Sequence, residues 1–209
     1  MLDITCYLFD LDGTLVDSSP VHESAYRDIL GREHPGLLAS FDYRAIAGLT
    51  TLAAFRRLGL DEKQSLHCTM LKQRHYREAV ESGAVHEMPG AANLLAMLKA
   101  RGAAIGVVTS ASHASASRTL EVTGLAQHVD VLVTADDVTA PKPAPAPYLT
   151  ALEKLKANAA KSVAVEDAPI GIASARAAGL KVIGVHDTSV RSLSDLYFSD
   201  FAAFAGALA

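Results

Sequence analysis

Two aspartates with one residue between them, Asp10 and Asp12, carry the clearest chemical signal in the chain. They follow residues 4–9, a nearly unbroken apolar run that is typical of a strand buried on both faces of a parallel sheet. Charges at the tip of such a strand must be paired, hydrated or bound to a metal ion, because burying them bare is unfavourable. Since ligands of open α/β sheets bind at the carboxyl ends of the strands, the spacing predicts an acidic site there.

Three further groups of polar residues stand at or after the ends of other predicted strands. Thr109 and Ser110 end one strand, Glu166 and Asp167 end another, and Lys142 lies in a loop after a third. Alone, each group has an ordinary explanation: acids or hydroxyls at a strand end often cap a turn or a helix, and a loop lysine is usually solvated. Together they bring acids, hydroxyls and one lysine to one edge of a sheet, which favours a shared site.

Phosphoryl transfer is the chemistry that needs this set of side chains. Carboxylates from two strands can hold Mg²⁺, a hard cation that prefers oxygen ligands. A hydroxyl group, backbone N–H groups and a lysine can neutralise the oxygens of a phosphoryl group. One aspartate can then act as the nucleophile and the other can carry the proton.

The elements that must position these residues fall into two blocks. After Leu15 the pattern is helical as far as about Glu87, with predicted helices at 21–30, 51–58 and 61–81. From Pro89 onward helices alternate with strands, which predicts βαβ units and a parallel sheet covered on both faces. The predicted helices are 91–100, 115–122, one starting near 147, and 170–178, and the strands are 104–109, 129–134, 162–165 and 181–185.

The fold class predicted from this order is α/β, a doubly wound parallel sheet interrupted after its first strand by an all-helical insertion. We expect a core domain of residues 1–16 and 88–209 and a helical domain of residues 17–87. The residues at 201–209 are too few to span a membrane, and we expect them to dock as a last helix.

The composition limits which binding partners and which cellular compartment we expect for the protein. The 209 residues are 50% hydrophobic and carry a net charge of −4, which gives no reason to expect a nucleic-acid or anionic-membrane partner. The apolar segments are all shorter than a membrane span, and the N-terminus lacks the basic start of a signal peptide. Two isolated cysteines, Cys6 and Cys68, make a poor disulfide framework. We therefore expect a cytoplasmic protein, and a monomer by default.

The motifs resemble those of the haloacid dehalogenase superfamily of aspartate-nucleophile phosphohydrolases, in the same order along the chain. Residues 10–14, which read Asp-Leu-Asp-Gly-Thr, look like its first motif, and the pair at 109–110 looks like the second. Lys142-Pro143 resembles the third motif, and Glu166-Asp167 with the glycines and alanines after it resembles the fourth. The helical insertion and His22 resemble the small cap of the phosphoglycolate phosphatase and β-phosphoglucomutase branch, with its Rossmann-like core.

This resemblance implies a role for each catalytic and phosphate-binding residue. Asp10 attacks phosphorus and forms an aspartyl-phosphate, while Asp12 protonates the leaving alcohol and later deprotonates the hydrolytic water. Either Thr109 or Ser110 holds the phosphoryl group, and the similarity of residues 110–112 to the mutase pattern favours Ser110. Lys142 pairs with both Asp10 and the phosphoryl oxygens. The implied substrate is a small phosphorylated metabolite.

The resemblance also implies a Mg²⁺ site and a closing cap. Asp10, the backbone carbonyl of Asp12, and Asp167 bind the metal, with Glu166 as a further ligand or as a neighbour behind the ligands. The cap closes over the substrate and excludes water, with hinges near residues 16–19 and 87–90. Phosphoglycolate, a sugar phosphate and a nucleotide all stay open as substrates.

Two alternatives use similar residues. A β-phosphoglucomutase-like enzyme needs a cation for a second phosphate, but Thr51 stands where the mutase places an arginine. Compensation would have to come from Arg44, Arg56 or Arg57, and helix arginines are more often solvated. A receiver domain of two-component signalling also accepts a phosphoryl group, but on an acid of a middle strand. The strand ending in Thr109 offers no such acid, so we favour a phosphatase.

Overall fold

The computed structural model describes residues 4–208. Six strands form one parallel sheet in the order β5-β4-β1-β6-β7-β8, and β2 and β3 form a separate antiparallel ribbon. The strands are β1 (Cys6–Phe9), β2 (Val16–Asp17), β3 (His86–Glu87), β4 (Ala104–Val108), β5 (Val131–Val133), β6 (Ser162–Glu166), β7 (Lys181–Val185) and β8 (Leu196–Phe198). The helices are α1 (Ser19–Glu33), α2 (Pro35–Leu38), α3 (Thr51–Arg57), α4 (Glu62–Glu81), α5 (Ala91–Ala100), α6 (His113–Val122), α7 (Ala146–Leu155), α8 (Pro169–Ala177) and α9 (Phe201–Leu208).

Strand β1 lies inside the sheet, between β4 and β6. Alternate residues of a strand point to opposite faces, and β1 divides its side chains accordingly. Tyr7 and Phe9 join a buried cluster with residues of α5, α6 and α9, whereas Cys6 and Leu8 join a second cluster with residues of α7 and α8. The sheet is therefore covered by helices on both faces, and the predicted α/β fold class is confirmed.

The helical segment between β2 and β3 builds a small apolar cluster of its own. Tyr26 and Leu30 of α1 pack there with Phe55 of α3 and Cys68 of α4. Helix α4 begins after Asp61, whose side chain accepts from the backbone of Gln64 while the Gln64 side chain accepts from the backbone of Asp61. This reciprocal cap confirms the predicted start of the helix. The division into domains at residues 16/17 and 87/88 stays a prediction.

Some elements differ from the sequence prediction. Helix α1 starts at Ser19 and continues to Glu33, beyond the predicted 21–30, because Pro20 is tolerated in a first helical turn. Strand β5 is shorter than predicted and spans Val131–Val133. Strand β8 and the ribbon of β2 and β3 were not predicted, since strands of two or three residues are too short to show an alternating pattern.

Within residues 4–208, the helices are either too short or too polar to cross a membrane. Cys6 and Cys68 are both buried as free thiols. The predicted last helix is present as α9, and it buries Phe201 and Phe204 against the sheet.

Candidate active site

The register of the sheet brings three strand ends together. Phe9 of β1 lies beside Val107 of β4 and Val165 of β6, so the residues that follow them stand side by side at the carboxyl edge. The backbone N–H of Asp10 continues this pairing and donates to the carbonyl of Val165 at 2.9 Å. Thr109 follows β4 by the same geometry, and its backbone N–H donates to Val133 of β5.

Lys142 reaches this edge from the loop before α7 and is almost fully buried. Its Nζ donates to Asp10 Oδ1 and to Glu166 Oε1, at 2.6 Å each. Burial alone would lower the pKa of this ammonium, but the charges of Asp10 and Glu166 outweigh burial and raise it. Lys142 therefore stays charged between two carboxylates that would otherwise repel each other.

The acids at this edge exceed the cations that accompany them. Within residues 4–208, Asp10, Glu166 and Asp167 each bring a carboxylate oxygen within 4.8 Å of the others. Burial raises the pKa of Asp10 to about 8, with Glu166 adding to the effect against Lys142, and burial together with Asp10 raises the pKa of Asp167 to about 7. Crowded carboxylates with raised pKa values favour a bound cation, and an all-oxygen donor set suits Mg²⁺.

The backbone around Gly13 is shaped to hold Asp167. Gly13 has a φ of 85°, and a Cβ there would lie 2.2 Å from Asp167 Oδ2, so only glycine fits so close to this carboxylate. Thr14 Oγ1 donates to Asp167 Oδ1 at 2.8 Å. One carboxylate oxygen of Asp167 is thus oriented by a hydroxyl group, and the residues present fit a divalent cation between Asp10 and Asp167.

Asp12 faces the helical segment instead of the acid cluster. Its Oδ1 accepts from Ser18 Oγ at 2.6 Å, His22 Nε2 at 3.0 Å and Tyr76 OH at 3.3 Å. Burial raises the pKa of Asp12, but His22, Ser18 and Lys72 outweigh it and hold the pKa below its usual range. Asp12 is therefore an ionised carboxylate with three donors around one oxygen.

Lys72 of α4 sets the tautomer of His22, and sequence reasoning missed it. Lys72 Nζ lies 2.5 Å from His22 Nδ1, and an ammonium can only donate, so Nδ1 accepts and Nε2–H donates to Asp12. His22 also stacks on Tyr76, with ring centroids 4.2 Å apart. Burial lowers the pKa of Lys72 to about 8.

A signal for Lys72 was present in the sequence. Cys68, Lys72, Tyr76 and Val80 recur every four residues and share the buried stripe of α4. A lysine inside an apolar stripe is unusual, because long charged side chains normally reach solvent. The helical period therefore marks Lys72 as a residue with a buried partner, although it does not identify that partner.

The two candidate phosphate-binding hydroxyls have different partners. Thr109 is buried, and its Oγ1 accepts from the backbone N–H of Ala111 at 3.0 Å. Ser110 is half-buried, and its Oγ donates at 2.9 Å to the carbonyl of Gly48, in the loop before α3. Both residues line the same cavity, so which of them holds a phosphoryl group stays open.

One cavity lies between the sheet edge and the helical segment. The sequence-predicted site residues all line it, together with side chains from the helical segment. The first group is Asp10, Asp12, Thr109, Ser110, Lys142, Glu166 and Asp167, and the second includes Ser19, His22, Tyr26, Tyr43, Thr51, Lys72, Gln73 and Tyr76.

The wall of this cavity at α3 is formed by Thr51. Arg56 is exposed and pairs with Glu62, and Arg57 is exposed and donates to the carbonyl of Ala45 at 3.2 Å. These two arginines are therefore engaged on the protein surface, and neither of them lines the cavity.

Comparisons with known proteins identify the family of the chain. Residues 7–185 match the model of the haloacid dehalogenase-like hydrolases. The chain is 35% identical to phosphoglycolate phosphatase of Rhodospirillum rubrum, over 94% of this chain and 87% of the relative, and 35% identical to hexitol phosphatase A of Escherichia coli K12, over 86% and 82%. Its fold is similar to that of a hydrolase from Pseudomonas syringae, with a TM-score of 0.86 at 22% identity over 98% of this chain and 97% of that one. The expectation drawn from the motifs is confirmed, and the chain belongs to the haloacid dehalogenase-like hydrolases.

Proposed function

We propose that the protein is a Mg²⁺-dependent phosphatase that hydrolyses a small phosphorylated metabolite through an aspartyl-phosphate on Asp10. The observation that carries the proposal is the contrast between two neighbouring carboxylates. Asp10 lies among Lys142 and two further acids, whereas Asp12 lies among hydroxyl groups and His22. Carboxylates whose environments shift their pKa values in opposite directions are suited to separate roles in one reaction.

Asp10 is placed to act as the nucleophile. Its carboxylate attacks phosphorus, the bond from phosphorus to the leaving oxygen breaks, and an aspartyl-phosphate results. An ammonium has three N–H donors, and Lys142 uses two of them on Asp10 and Glu166, so the third can donate to a phosphoryl oxygen. When bound by Asp10, Asp167 and the backbone carbonyl of Asp12, with Glu166 beside them, Mg²⁺ supplies further positive charge at the phosphoryl group.

Asp12 is placed to carry the proton. A phosphoryl dianion beside it in a cavity shielded from water raises its pKa, so Asp12 takes up a proton and gives it to the leaving alcohol. In the second step Asp12 accepts a proton from the water that attacks the aspartyl-phosphate, which releases inorganic phosphate and restores Asp10. The Nε2–H of His22 holds the Asp12 carboxylate in position for both transfers.

The substrate proposed first is phosphoglycolate, since phosphoglycolate phosphatase of Rhodospirillum rubrum is among the most similar relatives. Hexitol phosphatase A is equally similar, which keeps sugar phosphates in the test. The buried free thiols of Cys6 and Cys68 support a reducing compartment, so we propose a cytoplasmic enzyme, acting as a monomer.

Phosphate release from a panel of phosphorylated metabolites tests the proposal, with Mg²⁺ and with a chelator. We expect Mg²⁺-dependent release that is concentrated on one or two compounds. Asp10→Asn is expected to abolish turnover while the fold is kept, and Asp200→Asn, which changes an exposed aspartate before α9, serves as the matched control. Near-normal turnover by Asp10→Asn contradicts the mechanism.

The panel also separates the alternatives. Isomerisation of β-glucose 1-phosphate in the presence of a bisphosphate, without net phosphate release, identifies a mutase. Absence of turnover with a stable phosphorylated protein identifies a phosphoacceptor domain. Thr51, in the position where the mutase has an arginine, supports the phosphatase over the mutase.

A further inference from the structure

Tyr148 lies directly behind the candidate active site, in the first turn of α7. Its ring is fully buried in the apolar cluster that also holds Leu8, Val108 and Ile172. Burial of this ring contributes to the core in the same way as a phenylalanine would. The hydroxyl group is the part of the side chain that needs a separate explanation, since a buried hydroxyl requires a hydrogen-bond partner.

The Tyr148 hydroxyl donates to Oε1 of Glu166 at 2.5 Å. The same oxygen accepts from Lys142 Nζ at 2.6 Å, so a phenol and an ammonium share one acceptor. Lys142 Nζ also lies 5.2 Å from the centroid of the Tyr148 ring. Tyr148 therefore contacts the ammonium through its ring and fixes the acceptor of that ammonium through its hydroxyl.

Glu166 has little room to move while these contacts last. It is 1% exposed, and a Cβ on Gly171 of α8 would lie 2.0 Å from Oε1, so the helix backbone packs directly against the carboxylate. The terminal torsion of a glutamate is otherwise broad. Without the phenolic donor, the Glu166 carboxylate gains rotational freedom. The Lys142 ammonium, which is hydrogen-bonded to that carboxylate, then loses its fixed position beside Asp10.

We propose that Tyr148 is a positioning residue of this enzyme, whose hydroxyl holds Glu166 Oε1 so that the Lys142 ammonium points its remaining N–H into the cavity. This inference rests on the phosphatase proposed above. Tyr148 does not touch the substrate, and its effect reaches the phosphoryl group through Glu166 and Lys142.

Tyr148→Phe tests the proposal, because it removes the hydroxyl and keeps the buried ring. We expect kcat to fall about 10- to 100-fold with KM within about threefold, since misplacing a catalytic group by a fraction of an ångström weakens the reaction more than binding. The matched control is Tyr197→Phe, which removes a hydroxyl that donates to the carbonyl of His186 at 3.1 Å. The control is expected to keep the kcat of the unmodified enzyme.

A second measurement reports on Lys142 without requiring turnover. The side-chain ammonium resonance of Lys142 in the ¹⁵N-labelled protein is identified by its loss in Lys142→Arg. We expect this resonance to shift and to exchange faster with water in Tyr148→Phe, and to stay unchanged in Tyr197→Phe.

The outcomes separate this inference from the proposed function. A kcat of Tyr148→Phe within twofold of the unmodified enzyme, or an unchanged Lys142 resonance, overturns the positioning role. Equal losses of kcat in Tyr148→Phe and Tyr197→Phe also overturn it, because they indicate general destabilisation. If the unmodified protein releases phosphate from none of the compounds in the panel, the proposed function fails. The Lys142 resonance alone then decides whether Tyr148 orders the ammonium.

Discussion

Asp10 and Asp12 lie two residues apart, yet they belong to two differently built halves of one cavity. The sheet-edge half joins Asp10, Glu166 and Asp167, which stand at the ends of buried strands, with Lys142 from the loop before α7. The helical half surrounds Asp12 with side chains from the start of α1 and from α4. The pKa of Asp10 is raised and that of Asp12 is lowered, so the neighbours in space decide the charge of each carboxylate.

The two halves also differ in how they balance charge. The sheet-edge half contains three carboxylates and one buried lysine, and this excess of negative charge is what makes it fit a cation. The helical half balances Asp12 with neutral donors and a lysine held behind His22. A cation is therefore expected to change the stability of the first half strongly and that of the second half little.

Replacing Asp12 with asparagine is the strongest way to test the helical half. An amide keeps the size and most hydrogen bonds of the side chain but cannot carry the proton. We expect kcat to fall by about 10²–10⁴-fold, the range typical of a general acid–base group, with the fold preserved by circular dichroism. A fall of less than about tenfold contradicts the role of Asp12 as proton carrier.

Replacing Lys142 with methionine removes the ammonium that neutralises the acids of the sheet-edge half. We expect a fall in kcat of about 10²–10³-fold, as for other groups that stabilise charge on the reacting oxygens. The metal-free variant should also lose stability, by about 3 kcal/mol in denaturant titrations at pH 8, because Asp10 and Glu166 lose their shared cation.

The loss of stability in Lys142→Met is expected to be smaller at pH 5.5, where Asp10, with its pKa raised to about 8, is protonated. Equal losses at both pH values contradict the assignment of the charge to this cluster. Lys154→Met, which removes an exposed lysine paired with Asp137, is the control for loss of a single ion pair.

Replacing Lys72 with methionine perturbs the helical half indirectly, through His22. The His22 imidazole then loses the donor to Nδ1 that places its proton on Nε2, so Asp12 is held less well. We expect kcat to fall about tenfold, less than for Asp12 itself because no proton-carrying group is removed. Lys63→Met, an exposed lysine on the same helix, is the matched control, and equal kcat values for the two variants would contradict the role of Lys72.

The smallest expected effect is the shift in melting temperature on adding Mg²⁺. The pH dependence of this shift distinguishes the acid cluster of the sheet-edge half from Asp12 in the helical half. The folded-state pKa values of Asp10, about 8, and Asp167, about 7, lie above the ordinary value of 3.8. Between pH 4 and 8 the folded protein therefore binds more protons there than the unfolded chain, and the stability of the metal-free protein falls as pH rises. The lowered pKa of Asp12 keeps it ionised in the folded protein throughout this range, and above about pH 5 it adds no slope because an unfolded aspartate is ionised there too.

Mg²⁺ binds deprotonated carboxylates, so bound Mg²⁺ should oppose the loss of stability that the metal-free protein shows as pH rises. We expect saturating Mg²⁺ to raise the melting temperature by about 5 °C at pH 8 and by less than half of that at pH 5.5, measured by differential scanning fluorimetry. Asp167→Asn should remove most of the shift, whereas Lys72→Met should retain it. A larger shift at pH 5.5 than at pH 8 contradicts the assignment of the cation to the acid cluster.

The sequence predicts the residues of the sheet-edge half well, because the topology of a parallel sheet determines which residues meet there. Once helices and strands alternate, the carboxyl ends of parallel strands must meet, and the polar residues there must share a site. The bounds predicted for α5 and β7 match the structure, and those of α3 and α4 differ by one residue. The catalytic and metal-binding roles of these residues stay predictions.

The helical half and the layer behind the site were harder to predict. Lys72 and His22 are 50 residues apart, and their contact depends on how α1 packs against α4, which local periodicity does not encode. Tyr148 has the periodicity of an ordinary core residue, so its hydroxyl bond to Glu166 is visible only in three dimensions. Both contacts are long-range pairs between side chains, and a single sequence carries no direct record of such pairs.

The ribbon of β2 and β3 has a mechanical consequence for the helical segment. The chain enters and leaves that segment as two antiparallel strands, with Val16 beside Glu87 and Asp17 beside His86, and the N–H of Met88 donates to Leu15. The hydrogen bonds between two antiparallel strands fix which residues lie opposite each other and so oppose sliding of one strand past the other. We therefore expect any displacement of the helical segment to take place as a swing about this ribbon, with His22 and Lys72 moving together relative to Asp12.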